Sequence, residues 1–105
     1  MYNYIVMIIK INPLTEISNL SEKMFAELMD RKGFTLLWRP YVRDKSLSWA
    51  AYWQPDFFCL EENCFYEVIN SGNTFKSEKA LNLIETGWPV KFVAPDGTPY
   101  IKKGG

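Results

Sequence analysis

The sequence predicts a single-domain α/β or α+β fold in which a mixed β-sheet is flanked by two helices. The chain has 105 residues, enough for one hydrophobic core. Hydrophobic residues make up 48% and charged residues 23%, which is typical of a folded globular protein. The spacing of the apolar residues predicts a strand, a helix, three strands, a second helix and one or two further strands. This order is typical of helices packed on a sheet.

The first two elements are a buried strand and a helix. Residues 2–11 are largely apolar and predict the strand. They lack a basic segment and a cleavage site and fall far short of the ~20 residues of a membrane span, so we expect neither a signal peptide nor a transmembrane helix. Ser18 or Ser21 is expected to cap the helix, which ends near Arg31 before Gly33. Its apolar residues have helical spacing: Leu20, Met24, Phe25, Leu28 and Met29.

The middle of the chain predicts a strand and a β-hairpin. Residues 34–41 form the strand, residues 42–46 a charged turn, and residues 47–52 lead into the hairpin. Two runs rich in aromatic and β-branched residues flank a polar interruption, as expected of a hairpin. A loop of residues 60–63 would pair Cys59 with Cys64. A zinc site would need two further ligands. A disulfide between the two cysteines is geometrically possible, but nothing indicates secretion, so we expect free thiols in a cytoplasmic protein.

The last third of the chain predicts a second helix and one or two strands. Asn73 or Thr74 caps a helix that ends near Glu85, and residues 90–94 form a strand. Asp96-Gly97 is a turn signal, and residues 98–102 predict a short final strand.

The hairpin sets two acids against each other. With Cys59 paired to Cys64, the antiparallel register places Asp56 directly opposite Glu67. Opposed residues share a face, with Cβ atoms roughly 4.5–5.5 Å apart, and like charges there are destabilising. A bound cation, a shared proton or a one-residue change of register would relieve the repulsion. The cation makes the pair a candidate metal site, whereas the alternative interpretation of Asp56 is a turn residue after Pro55.

Composition excludes several kinds of chemistry. The chain contains no histidine, which excludes Ser-His-Asp and Cys-His nucleophilic systems and histidine-ligated zinc. Hydrolysis would therefore require carboxylates, lysine and a hard metal ion that prefers oxygen ligands. The formal net charge is zero, so any nucleic-acid site must be a local patch.

The order helix, strand, hairpin, helix and strand, with Pro-Asp-Phe and Tyr-Glu-Val on the hairpin, resembles the PD-(D/E)XK nuclease superfamily. That resemblance implies a restriction-endonuclease-like core. More narrowly, the chain is similar to small phage and intron-encoded nucleases over about residues 18–94. The motifs, in chain order, are Ser21-Glu22-Lys23-Met24-Phe25-Ala26-Glu27-Leu28, Gly33, Pro40, Trp53-Gln54-Pro55-Asp56-Phe57 and Tyr66-Glu67-Val68.

The resemblance implies a set of site residues. In that family an Asp and a Glu on the hairpin bind Mg²⁺, and a Glu on the first helix often assists. Asp56 and Glu67 match the metal ligands and Glu22 matches the helix acid, with Glu27 as the second choice. Glu22 is equally well explained as a favourable acid in the first turn of a helix.

One family residue has no match. The family places a lysine two residues after the hairpin Glu to position or activate the attacking water, and this chain has Ile69 there. A lysine on the following helix can replace it, which makes Lys76 and Lys79 candidates, although both also fit plain solvated residues. Gln54 falls opposite Ile69 and could orient a water molecule.

The resemblance therefore implies a metal-dependent endonuclease that hydrolyses phosphodiester bonds, with DNA as the expected substrate and Mg²⁺ or Mn²⁺ as the cofactor. Arg39, Arg43 and Lys45 are candidates for phosphate contacts, and exposed solubility charges explain them equally well. A chain this small would act as a homodimer to cut both strands. The expected location is the cytoplasm of a bacterium or of a phage-infected host cell, with no membrane association.

The alternative is a catalytically inactive nuclease-fold protein of phage type that binds nucleic acid or a host protein. Ile69 and the zero net charge favour this alternative. The retained opposition of Asp56 and Glu67 favours the enzyme, because a lost site has no reason to keep a repulsive pair.

Overall fold

A computed structural model describes residues 8–43, 54–69 and 87–99 of the chain. These residues form a mixed α+β structure with a five-stranded mixed sheet and one α-helix. The elements are β1 (Ile8–Asn12), α1 (Leu20–Arg31), β2 (Leu36–Val42), β3 (Phe57–Cys59), β4 (Cys64–Val68) and β5 (Val90–Val93), with a short 3₁₀ helix, Leu14–Glu16, before α1.

The strands lie in the sheet in the order in which they occur in the chain. β1 to β4 pair antiparallel, and β5 pairs parallel to β4. Parallel neighbours need a crossover connection of a dozen or more residues. Residues 70–86, where the second helix was predicted, lie outside the described residues.

Local signals set the ends of α1. The side chain of Asn19 accepts a hydrogen bond from the backbone N–H of Glu22 at 3.0 Å, so Asn19 is the N-cap. The predicted caps, Ser18 and Ser21, were therefore wrong by one and two residues. The predicted C-terminal end is confirmed, because Gly33 follows the helix with a φ of 86°, a conformation that glycine adopts without a Cβ clash.

One face of the sheet packs against α1. Phe25 and Met29 are the buried residues of the helix, and the Phe25 ring lies 5.7 Å from Phe57 and 5.0 Å from Tyr66, centroid to centroid. Burying a side chain of this size contributes about 1.5–3 kcal/mol. The apolar stripe of α1 is wider than the face that packs on the sheet. Two of its residues remain exposed, Leu20 at 76% and Met24 at 53%.

The other face of the sheet has its own cluster. Val42, Phe58 and Phe65 are buried together, and Trp88 packs on Phe65 with ring centroids 5.8 Å apart. The alternation of strand residues produces the two clusters, because successive side chains point to opposite faces.

β2 contains a distortion beside the hairpin. Arg39 has a φ of 46°, and Pro40, which has no N–H to donate, follows it inside the strand. The pairing of β1 with β2 shifts register on both sides of Lys10 and Tyr41. A bulge in this position interrupts the ladder next to the start of β3.

The remaining expectations have mixed outcomes. The strand predicted over residues 90–94 is confirmed as β5, and the turn at Asp96-Gly97 is confirmed by the hydrogen bonds that join Ala94 to Gly97 and Thr98. Residues 47–52 and 100–102 lie outside the described residues. None of the helical segments that the structure describes has the length and apolar character that crossing a membrane requires.

Candidate functional site

The hairpin forms in the predicted register. Phe57 pairs with Tyr66, Phe58 with Phe65 and Cys59 with Cys64, around the predicted loop of residues 60–63. Asn63 closes this loop with a φ of 52°, a conformation that asparagine tolerates better than most residues. Extending the register by one residue beyond β3 places Asp56 opposite Glu67.

The carboxylate of Asp56 is held against β4. Its Oδ2 atom accepts a hydrogen bond from the backbone N–H of Val68 at 2.8 Å. On the other side, the backbone C=O of Asp56 accepts a hydrogen bond from the N–H of Arg39, also at 2.8 Å. The acid is therefore fixed between β2 and β4, beside the residue that follows Glu67.

Glu67 lies inside β4 and is only 5% exposed. Its neighbours in the strand, Tyr66 and Val68, belong to the cluster that packs on α1. Because side chains alternate along a strand, Glu67 points to the opposite face, together with Phe65 and Ile69.

Glu22 lies on the α1 side of the sheet. Its Oε1 atom accepts a hydrogen bond from the indole N–H of Trp38 at 2.9 Å. Trp38 pairs with Phe57 and shares its face, which is the face that packs on α1. The hairpin register, extended by one residue, sets Asp56 opposite Glu67, and Glu22 lies on the other side of the sheet from Glu67.

The side chain of Gln54 is hydrogen-bonded to the bulge in β2. The backbone C=O of Arg39 accepts hydrogen bonds from the side chains of Asn12, at 3.0 Å, and Gln54, at 3.3 Å. The amide of Gln54 thus supports the bulge, and the role of Asn12 was missed because a contact 27 residues away leaves no local signal.

The basic candidates have different positions. The guanidinium of Arg39 lies 6.0 Å from the centroid of the Trp38 ring, and Arg39 is exposed beside the start of β3. Arg43 is exposed just after β2. The other three basic candidates lie outside the described residues: Lys45, Lys76 and Lys79.

Ile69, at the position of the family lysine, belongs to the core. It is 1% exposed, packs with Phe92, and donates its backbone N–H to the C=O of Val93 at 2.8 Å. An apolar residue in this position completes the hydrophobic packing between β4 and β5.

The donors in the hairpin fit a hard divalent cation only in part. Carboxylate oxygens are the ligands that Mg²⁺ prefers, and Mg²⁺ commonly binds through one or two carboxylates and several waters. Among residues 8–43, 54–69 and 87–99, no three Asp, Glu or Cys side chains are grouped so as to hold a metal ion. A cation here would depend on Asp56 and Glu67.

No known protein family matches this chain, and comparison with curated proteins and with solved structures also found no match. The case for a function therefore depends on the geometry of the described residues.

Proposed function

We propose that the protein is a metal-dependent endonuclease that hydrolyses phosphodiester bonds in DNA, with Asp56 and Glu67 as the ligands of Mg²⁺ or Mn²⁺. The observation that carries the proposal is the register of the hairpin. The three pairs of β3 and β4, continued by one residue, set Asp56 opposite Glu67. Like charges directly opposite each other are destabilising, and a bound cation would lower that repulsion.

The order of elements supports the same proposal. α1, β2 and the β3–β4 hairpin are followed by β5, which pairs parallel to β4. This order agrees with the arrangement expected of a restriction-endonuclease-like core, for which the second helix would occupy residues 74–85.

The chain's own residues would position the substrate and the cation. Asp56 is oriented by the N–H of Val68, and Glu67 is buried in β4, between β3 and β5. Arg39 lies exposed beside Asp56, where its charge would attract a phosphate of the backbone. A divalent cation bound by the two acids would supply a water of lowered pKa and stabilise charge on the leaving oxygen.

Calorimetric titration with Mg²⁺ and Mn²⁺ tests the proposal. We expect binding in the micromolar to millimolar range that is lost in Asp56→Asn and Glu67→Gln and retained in Asp30→Asn, on the exposed side of α1. Asparagine at position 56 still offers an oxygen to the Val68 N–H, so the loss would reflect charge and not unfolding. Absence of binding by the wild-type protein would exclude the enzyme.

A cleavage assay follows if metal binds. Single- and double-stranded DNA are incubated with the wild type, Lys76→Ala and Lys79→Ala. A loss of cleavage with unchanged metal binding in one lysine variant would identify the residue that replaces the family lysine. If both variants cleave DNA as well as the wild type, neither lysine is needed, and the metal with Asp56 and Glu67 is sufficient for the reaction.

A second function is favoured by the hydrogen bond of Asp56 and the burial of Ile69. An acid that caps the hairpin ladder and an apolar residue at the lysine position suit a nuclease-fold protein without catalysis, which binds nucleic acid or a host protein. One experiment separates the two functions when the ligand is DNA, because the inactive protein should bind DNA in a way that is insensitive to EDTA and to Asp56→Asn and should not cleave it.

A further inference from the structure

A cavity of about 410 Å³ lies on the α1 side of the sheet. It opens between the C-terminal end of α1, the loop of the hairpin and the turn after β5. Small-molecule sites usually have volumes of roughly 300–1,000 Å³, so this cavity is large enough for a compact ligand.

The inner wall of the cavity is largely aromatic. It is lined by Phe25, Phe34, Tyr66 and Met29, of which Phe34 is partly exposed and the others are buried. Aromatic rings favour stacked or edge-on contacts with another ring, and methionine adapts its shape to what it contacts. A flat aromatic group suits this wall.

The rim of the cavity carries two lysines and one glutamate. Lys91 forms an ion pair with Glu62 at 3.1 Å, and the hydroxyl of Tyr66 donates a hydrogen bond to the same carboxylate. Lys32 is exposed at the end of α1 and makes no ion pair with any described residue. The rim therefore has one more positive than negative charge.

The cluster is built for binding and not for proton transfer. Burial and the bond to Glu62 raise the pKa of Tyr66, so the phenol stays protonated. Burial would raise the pKa of Glu62, but the hydrogen bonds of Tyr66 and Lys91 lower it below the usual value. Burial would lower the pKa of Lys91, but the bond to Glu62 raises it. Each group therefore keeps its ordinary charge at neutral pH.

The C-terminal end of α1, which carries a partial negative charge, is partly capped. The N–H of Gly33 donates to the C=O of Asp30 and that of Phe34 to the C=O of Met29, at 3.0 and 2.9 Å. A capped helix end exposes less of its negative pole to a ligand.

We propose that this cavity binds a small aromatic carboxylate, with its ring against Phe34 and its carboxylate between Lys32 and Lys91. Lys91 keeps donors for a second acceptor while it pairs with Glu62, since an ammonium group has three N–H bonds. The site is separate from the hairpin acids, because Glu67 points to the opposite face of the sheet.

The probe is indole-3-acetate. Its binding is monitored in the presence of EDTA through changes in the ¹H–¹⁵N chemical shifts of the backbone amides. We expect saturable shifts at the amides of cavity residues such as Val93 and Gly97. Tryptamine, which carries the same ring with a positive charge, should bind at least about tenfold more weakly. EDTA makes the result independent of any metal bound at the hairpin.

Matched lysine variants test the charge of the rim. Lys32→Gln should weaken indole-3-acetate about two- to fivefold, the range of a partly exposed ion pair. Lys23→Gln makes the same change on an exposed part of α1 that does not line the cavity, and it should leave the affinity within about twofold. The dispersion of the amide spectrum checks that each variant is folded.

Three results would overturn the proposal. They are the absence of saturable shifts in the wild type, tryptamine binding as tight as that of indole-3-acetate, and equal weakening by Lys32→Gln and Lys23→Gln.

Discussion

The side-chain oxygen of Asp56 accepts the backbone N–H of Val68 at 2.8 Å, across the open end of the β3–β4 hairpin. The acid proposed as a metal ligand therefore also completes the hydrogen bonding of β4. This double use explains how a carboxylate can be oriented at the end of a ladder before any cation binds. It also means that substitutions of Asp56 must be chosen to separate the two roles.

The hydrogen-bonding role can be measured through stability. Asp56→Ala leaves the N–H of Val68, a residue 3% exposed, without this acceptor, and we expect a loss of about 1–3 kcal/mol in the free energy of unfolding. Asp56→Asn keeps an acceptor oxygen and should cost clearly less. Urea denaturation measures both, with Asp30→Ala as a control on the exposed side of α1. Equal losses in the two Asp56 variants would contradict the assignment.

The contact between Glu22 and Trp38 predicts energetic coupling between α1 and β2. Glu22→Ala should cost about 0.5–1.5 kcal/mol, because it removes the acceptor of a part-buried indole N–H. In a double-mutant cycle with Trp38→Phe, the double variant should lose less free energy of unfolding than the sum of the two single losses. Glu27→Ala is the control, since Glu27 is exposed on the same helix, and its cost should add to that of Trp38→Phe. Additive costs for Glu22 would show that the bond is energetically neutral.

Because the thiol of Cys59 is buried, we expect the free energy of unfolding to fall in alkaline solution. Burial raises its pKa from 9.0 to about 11. Above pH 9 the unfolded thiol loses its proton while the folded one keeps it, so the unfolded state binds fewer protons and stability falls as the pH rises to about 11. Urea denaturation at several pH values should give a flatter profile for Cys59→Ala than for the wild type. Parallel profiles would exclude Cys59 as the cause.

Alanine substitution at two glycines with the same φ measures how closely the turn at Gly97 packs against α1. Gly33 and Gly97 both have a φ of 86°, but a Cβ on Gly97 would lie 2.8 Å from the Cδ2 atom of Leu28, whereas one on Gly33 would meet nothing within 4 Å. Gly33→Ala should cost about 1–2 kcal/mol for the left-handed conformation alone. Gly97→Ala should cost slightly more, because the end of the flexible Leu28 side chain must move to make room, and thermal or urea unfolding measures the difference. The excess should disappear in the background of Leu28→Ala, and an excess that persists would place the clash elsewhere.

The elements that the sequence predicted well are those that depend on neighbouring residues. The hairpin follows from two apolar runs around a short polar loop, and the end of α1 follows from Gly33. The N-cap was misplaced because Ser18, Asn19 and Ser21 are all good capping residues within one turn. Helical spacing predicted the helix but not how wide a face the sheet would cover, since Leu20 and Met24 share the spacing and are exposed.

The sequence by itself determined that two apolar strands pair around a short polar loop, because that pattern depends only on neighbouring residues. The register, predicted from a loop of residues 60–63, was settled by the structure, which pairs Cys59 with Cys64. Only the tertiary structure decided that Glu22 bonds to Trp38, that Asp56 caps the N–H of Val68, and that Lys91 reaches Glu62. These contacts join residues 12 to 29 positions apart. The contacts of Glu22 and Lys91 depend on how α1 packs on the sheet and on how β5 pairs with β4, and no local pattern in the sequence encodes either arrangement.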